Sequence, residues 1–221
     1  MLIACWSPKG GSGTTVVTAA LGLVLAEAKG AALLVDLAGD IPAALGLPEP
    51  DGPGLCDWLA AGAEVPDDAL SRLEVEAAPG VGLLARGSNQ AGLAGSRPVD
   101  GRGEALVAAL GIERRPVVAD CGRADEGVGL AVAAGAALSL LVLRPCYLAL
   151  RRALAAPLRP SGVILVGEEG RSLGRRDVEE VLGVPVRAEV GFDPAVARAV
   201  DAGLLSRRVP RALERSLRQA A

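Results

Sequence analysis

Three features of this chain have residue types and spacing suited to phosphate chemistry. The first is the loop Ser7-Pro8-Lys9-Gly10-Gly11-Ser12-Gly13-Thr14-Thr15. Gly10, Gly11 and Gly13 let backbone N–H groups converge on phosphate oxygens, and a helix beginning at Thr14 adds its positive end. Thr15 falls where such loops place the hydroxyl that meets Mg2+. The common form, G-x-x-x-x-G-K-[S/T], carries a lysine that reaches the β- and γ-phosphates. Here that slot holds Thr14, the first glycine slot holds Pro8, and a lysine stands earlier, at Lys9. The binding set read from the loop is Lys9, Gly10, Gly11, Ser12, Gly13, Thr14 and Thr15. The other two features are Asp120 and Asp36, which close the aliphatic runs Val117-Val118-Ala119 and Leu33-Leu34-Val35. Asp120 is placed to hold Mg2+ through a water, and Asp36 to orient a metal-bound or attacking water. A tight glycine turn and loop-capping carboxylates are the structural alternatives.

These residues need elements to hold them. Leu2–Trp6 reads as a short buried strand, Thr14–Lys29 as a helix with Gly30 as its C-cap, and Ala31–Val35 as a second strand. Strand, glycine loop, helix and strand form the βαβ context that a phosphate loop requires. Further strands are expected at Val81–Ala85, Val117–Ala119, Ala137–Leu143 and Gly162–Val166, with an edge strand at Val184–Val190. Helices are expected at Leu55–Ala61, Asp67–Leu73, Glu104–Leu110, Val128–Gly135, Arg175–Leu182, Asp193–Ala202 and Pro210–Gln219. Residues 39–54 read as a loop with a short helical turn. The stretch from Gly87 to Gly103, opening with the turn Arg86-Gly87-Ser88-Asn89, reads as a polar loop. The alternation predicts an α/β fold, a doubly wound, mostly parallel sheet with helices on both faces; the glycine loop's resemblance to a phosphate loop implies the P-loop NTPase type. Ligands of such sheets bind at the carboxyl ends of strands, where Asp36, Asp120 and the glycine loop all fall. No linker is visible, so residues 1–221 read as one domain.

Composition removes several chemistries. The chain has no histidine, which excludes Ser-His-Asp and Cys-His catalysis and most zinc sites. Cys5, Cys56, Cys121 and Cys146 are scattered without a C-x-x-C pair and read as small buried thiols in a reducing cytoplasm. Aromatics are only 2% of the chain, so the core must be built from Ala, Val and Leu. Residues 1–110 carry 6 basic and 13 acidic side chains, and residues 111–221 carry 17 and 13. That asymmetry excludes a uniformly basic nucleic-acid binder but leaves room for a local arginine patch. The polar loop begins within a few residues of Met1, so no signal peptide is expected. The uncharged run from Gly127 to Leu143, which no other run exceeds in length, falls short of the ~20 residues of a membrane helix.

Taken in order, Lys9, the glycine loop, Thr15, Asp36 and Asp120 resemble the ParA/MinD family of P-loop ATPases, whose deviant loop reads K-G-G-x-G-K-[T/S]. The resemblance covers nearly the whole chain. Val117-Val118-Ala119-Asp120-Cys121-Gly122 looks like the family's Walker B strand, and the segment from Leu143 to Arg151 like the strand, loop and helix after it. Leu182-Gly183-Val184-Pro185-Val186 and Phe192-Asp193-Pro194 resemble late segments in which a final strand leads towards the nucleotide base. The Gly-Gly-x-Gly-Thr-Thr form is most similar to the TadZ/CpaE branch, associated with positioning pilus and secretion machinery. The family's base-contacting asparagine is not evident in Val166-Gly167-Glu168-Glu169.

The resemblance implies ATP or ADP with Mg2+ as cofactors, a nucleotide-dependent homodimer, and a protein partner. It implies metal contacts from Thr15, Asp120 and Asp36. Lys9 matches the signature lysine that crosses the dimer interface to the partner's phosphates. Two departures bear on turnover. Thr14 removes the cis lysine, a charge-assisted bond worth roughly 1.5–3 kcal/mol, or about ten- to a hundredfold in affinity. The family's D-x-D reads Asp36-Leu37-Ala38 here, leaving Asp40 as the nearest substitute carboxylate. Lys9, Asp36 and Asp40 are thus the catalytic candidates. Two outcomes stay open: a switch that hydrolyses ATP slowly or with a partner's help, and a scaffold without turnover. The basic segment 207–219 is expected as a helix whose apolar face is only Leu213 and Leu217. That face is weak for membrane binding. A helix packed on the sheet and a non-specific DNA contact, as in a partitioning ATPase, are the readings kept.

Overall fold

A computed structural model describes residues 1–61, 65–66, 68–87, 101–167 and 170–220. Their strands form one sheet: β1 (Leu2–Trp6), β2 (Ala32–Asp36), β3 (Glu74–Ala78), β4 (Val81–Leu84), β5 (Val117–Asp120), β6 (Leu138–Leu143), β7 (Gly162–Gly167) and β8 (Val186–Gly191). The order across the sheet is β3-β4-β2-β5-β1-β6-β7-β8. Only β3 runs antiparallel to its neighbour; every other pair is parallel. The mostly parallel, doubly wound sheet expected from the sequence is therefore present.

The central strands are aliphatic throughout because both of their faces are covered. Alternate residues of β1 go to opposite cores. Ile3 and Cys5 pack with α1 (Thr14–Lys29), α2 (Ile41–Leu45) and α9 (Arg211–Leu217). Leu2, Ala4 and Trp6 pack with α3 (Leu55–Ala60), α4 (Arg102–Gly111), α5 (Gly127–Gly135), α6 (Tyr147–Leu154) and α7 (Arg175–Leu182). The one remaining helix among the described residues, α8 (Pro194–Asp201), lies beyond β8 and is capped by the Asp193 carboxylate, which accepts from Ala195 N at 2.8 Å.

Several local expectations need correction. The expected helix at Asp67–Leu73 is not formed: residues 68–70 are a turn and Ser71–Leu73 a single 3-10 turn, while Asp67 lies outside the described residues. No residue from 68 to 73 is fully buried, so the segment lacks the packed apolar face that sustains a short helix such as α9. The segment that follows is instead β3, whose Glu74-Val75-Glu76 start is exposed or half-buried on the sheet edge and so lacks an apolar run. The loop expected to end at Gly103 gives way to α4 at Arg102, after Gly101 turns the chain with φ 87°; residues 88–100 lie outside the described residues, as do 168–169. By contrast, the basic segment 207–219 forms helix α9 with Leu213 and Leu217 buried against the core, the packed reading kept for it.

Candidate functional site

The glycine loop leaves β1 at the carboxyl edge of the sheet. Ser7 N donates to Gly122 O at 2.9 Å, tying the loop to the turn after β5. Ser12 Oγ donates to the Lys9 carbonyl at 3.1 Å and closes the turn. Gly11 and Gly13 have φ of 77° and 83°, the left-handed region that side chains disfavour. Gly13 is the N-cap of α1, no side chain caps that end, and the first turn contains no acidic residue. The first N–H groups of a sixteen-residue helix are therefore left for another acceptor. A Cβ built on Gly10, Gly11 or Gly13 meets no atom within 4 Å, so open space faces all three. This is the shape an anion requires. Thr14 is buried, and Lys9 and Thr15 are half-buried.

The carboxylates stand beside this cradle. Asp36 and Asp120 are register partners at the ends of β2 and β5, both fully buried. Asp36 Oδ1 accepts from Gly39 N at 2.6 Å and Oδ2 from Ile41 N at 2.9 Å. Burial pushes its carboxyl up to about 6; those two bonds oppose the shift, and the charges of Asp120 and Asp40 add to it. Asp36 thus shapes the loop before α2, the structural alternative foreseen for it. Asp120 Oδ1 accepts from Gly122 N at 2.9 Å, whereas Oδ2 is buried and makes no hydrogen bond. Burial raises the Asp120 carboxyl, the Thr15 hydroxyl beside it opposes that shift, and the Asp40 charge adds to it. Asp40 is exposed at the start of α2, with its charge reaching both buried carboxylates.

A buried carboxylate oxygen without a donor, next to a threonine hydroxyl, fits a hard divalent cation. Among the described residues no group of three or more Cys, Asp or Glu side chains could hold a metal alone. A cation here needs ligands from a bound phosphate as well. The fold thus brings Lys9, Gly10, Gly11, Ser12, Gly13, Thr14 and Thr15 to one edge with Asp36, Asp40 and Asp120.

Sequence reading missed a neighbouring feature. A cavity of 220 Å3 opens beside Gly13, walled by Val16, Val166, Val190, Phe192, Val196 and Val200. Its walls come from α1, β7, β8 and α8, which are far apart in sequence. The sequence pointed towards it only through the late segment Phe192-Asp193-Pro194, read as leading towards a nucleotide base; its walls could not be read.

Fold and site edge together are those of the P-loop NTPase class. The chain belongs to the CobQ/CobB/MinD/ParA nucleotide-binding family, whose domain model matches residues 3–206. No curated protein sequence matches it. Among solved structures it is similar to a ParA family ATPase from Chlorobium tepidum TLS, at 18% identity and TM-score 0.77, covering 97% of this chain and 95% of that one. It is similar to the septum site-determining protein MinD complexed with Mg-ADP from Pyrococcus horikoshii OT3, at 19% identity and TM-score 0.76, covering 99% and 93%. A third likeness is the Cyanothece McdA(D38A)–ATP complex, at 18% identity and TM-score 0.74, covering 99% and 94%.

Proposed function

We propose that residues 1–221 form one ParA/MinD-like domain acting as an ATP-dependent dimeric switch that positions a cellular assembly, with slow or partner-dependent hydrolysis. The observation that carries this reading is the open glycine cradle next to a Thr15–Asp120 pair in which one Asp120 oxygen is buried without a partner. The N–H groups from Gly10 to Thr15 bind phosphates, and Thr15 with Asp120 holds Mg2+. Bound Mg-ATP supplies the transferable phosphoryl group. The cavity beside Gly13 takes the base. Asp36 keeps the loop before α2 in shape, and Lys9, which forms no ion pair among the described residues, supplies positive charge to the partner copy's phosphates. Family membership and the Mg-ADP and ATP complexes of its structural relatives support the cofactor choice. The complex titled MinC:MinD from Aquifex aeolicus supports a protein partner. The TadZ/CpaE-like form of the loop favours pilus, secretion or division machinery as the assembly positioned. No described helix is long and apolar enough to cross a membrane.

Measuring ATP affinity and mass together in wild type, Lys9→Ala and Thr14→Lys tests this. Wild type should bind ATP and double its mass, and Lys9→Ala should bind without dimerising. A Lys9→Ala protein that dimerises with ATP as well as wild type sinks the trans role.

Two specific observations favour a second reading, a scaffold without turnover. Thr14 is buried in the lysine slot, and both oxygens of Asp36 are engaged by backbone. Phosphate release separates it from the switch. A DNA-binding role rests on exposed Arg207, Arg208, Arg211 and Arg215, which form no ion pair among the described residues.

A further inference from the structure

The loop between β2 and α2 is held from two sides. Asp36 grips it from within, through Gly39 N and Ile41 N. Arg86, just beyond β4, grips it from outside: Nη1 donates to the Ala38 carbonyl at 3.1 Å. The guanidinium passes over Gly39, where a Cβ would lie 3.0 Å from Arg86 Cδ and 3.3 Å from Nη1, and where φ is +97°. Only glycine allows that crossing. The root of the arm is fixed as well. The carbonyls of Ala85 and Arg86 accept from Leu55 N and Cys56 N, the first residues of α3, at 2.9 and 3.0 Å. Arg86 Nε is buried and makes no hydrogen bond, so part of the guanidinium is held at a desolvation cost; the group also lies beside the Cys56 thiol.

The pinned residue touches the rest of the site. A Cβ on Gly122 would sit 3.5 Å from Ala38 Cβ, and Gly122 binds both Asp120 Oδ1 and Ser7 N. Leu37 N donates to Asp120 O at 3.0 Å, so the loop pinned by Arg86 is tied to the end of β5. The Gly122 turn ties that strand end to Ser7, the first residue of the glycine loop. Asp40 lies two residues past the pinned carbonyl, and it is the one carboxylate of this loop not tied to backbone.

We propose that Arg86 is a positioning residue of the nucleotide site: by pinning Ala38 it holds Asp40 towards the Thr15–Asp120 side of the phosphate cradle. The proposal rests on the nucleotide-binding reading above. In this role Arg86 touches no ligand. It replaces by geometry part of what a carboxylate at position 38 would do directly.

The test is a double-mutant cycle on ATP affinity, measured by calorimetry with Mg2+ and with EDTA. The readout is the Mg2+-dependent gain in affinity, which a general loosening of the fold would not single out. Arg86→Ala and Asp40→Asn should each cut that gain by about tenfold, the size of one charge-assisted hydrogen bond, and leave affinity in EDTA within about twofold. The double variant should be no worse than either single one. Arg86→Lys, which can still donate to Ala38 O, should recover part of the gain. Arg86→Gln keeps the apolar stem and serves where Arg86→Ala melts early. An unchanged Mg2+-dependent gain in Arg86→Ala or Arg86→Gln, or losses that multiply in the double variant, overturns the proposal alone. Wild-type protein that binds no ATP overturns the nucleotide reading and this one with it.

Discussion

Asp36 gives the nucleotide-free protein a pH dependence with a definite sign. Burial pushes its carboxyl up to about 6 from 3.8. The folded chain therefore keeps a proton that the unfolded chain has already released. The stability this group contributes is full below the unfolded value of about 4 and is lost as pH rises through about 6. The gap between the two values corresponds to about 3 kcal/mol. Asp120, also raised by burial, acts in the same direction. Glu113, held down to about 2 chiefly by Arg115, acts in the opposite direction but below this window. Asp36→Asn removes the titration. It also leaves one acceptor oxygen for the two N–H groups of Gly39 and Ile41, a cost of about 1–3 kcal/mol that does not vary with pH. Urea unfolding in chelator between about pH 4 and 7 should thus show wild type losing stability as pH rises while Asp36→Asn stays flatter. Parallel curves for the two proteins would refute the assignment of a raised Asp36.

Four further outcomes follow from the same structure. Gly10→Ala places a methyl group in open space without backbone strain, so unfolding should move by less than about 0.5 kcal/mol while ATP affinity drops. Gly13→Ala adds the left-handed strain of φ 83° and should cost about 1–2 kcal/mol in unfolding on top of lost binding. Thr14→Lys restores the cis cation and should tighten ATP by about ten- to a hundredfold; a gain in phosphate release as well would mark the natural protein as a damped ATPase. If the arginines around α9 bind DNA, random duplex should bind in gel shift with affinity falling steeply with salt, and salt-insensitive or absent binding excludes that role.

How much could be read from the chain alone varies by element, for physical reasons. β1, β2 and β5 were legible as continuous aliphatic runs closed, in β2 and β5, by aspartates, and α1 as a long apolar segment that starts after the glycine loop and stops at Gly30. That was enough to bring Asp36 and Asp120 to one edge of the sheet. β3 was not legible, because an edge strand opening on half-buried Glu74 and exposed Glu76 has no apolar run to betray it. Arg115 holds Glu74 there by two bonds of 2.7 and 2.8 Å across 41 residues of sequence. The base-sized cavity and the Arg86–Ala38 contact were hidden for the same reason: each joins elements far apart in the chain. The two roles of aspartate were also invisible. Asp36 and Asp120 end similar strands, yet one spends both oxygens on backbone and the other keeps one without a partner.

The central claim is that the glycine cradle and Asp120 form a site for a magnesium nucleotide. Calorimetric titration of wild type with ATP, in Mg2+ and in EDTA, tests it most directly. The structure predicts binding in the roughly micromolar to millimolar range that Mg2+ strengthens, with the strengthening abolished in Asp120→Asn. Absence of ATP binding at millimolar concentration with Mg2+ present, or binding indifferent to both Mg2+ and Asp120, would contradict it.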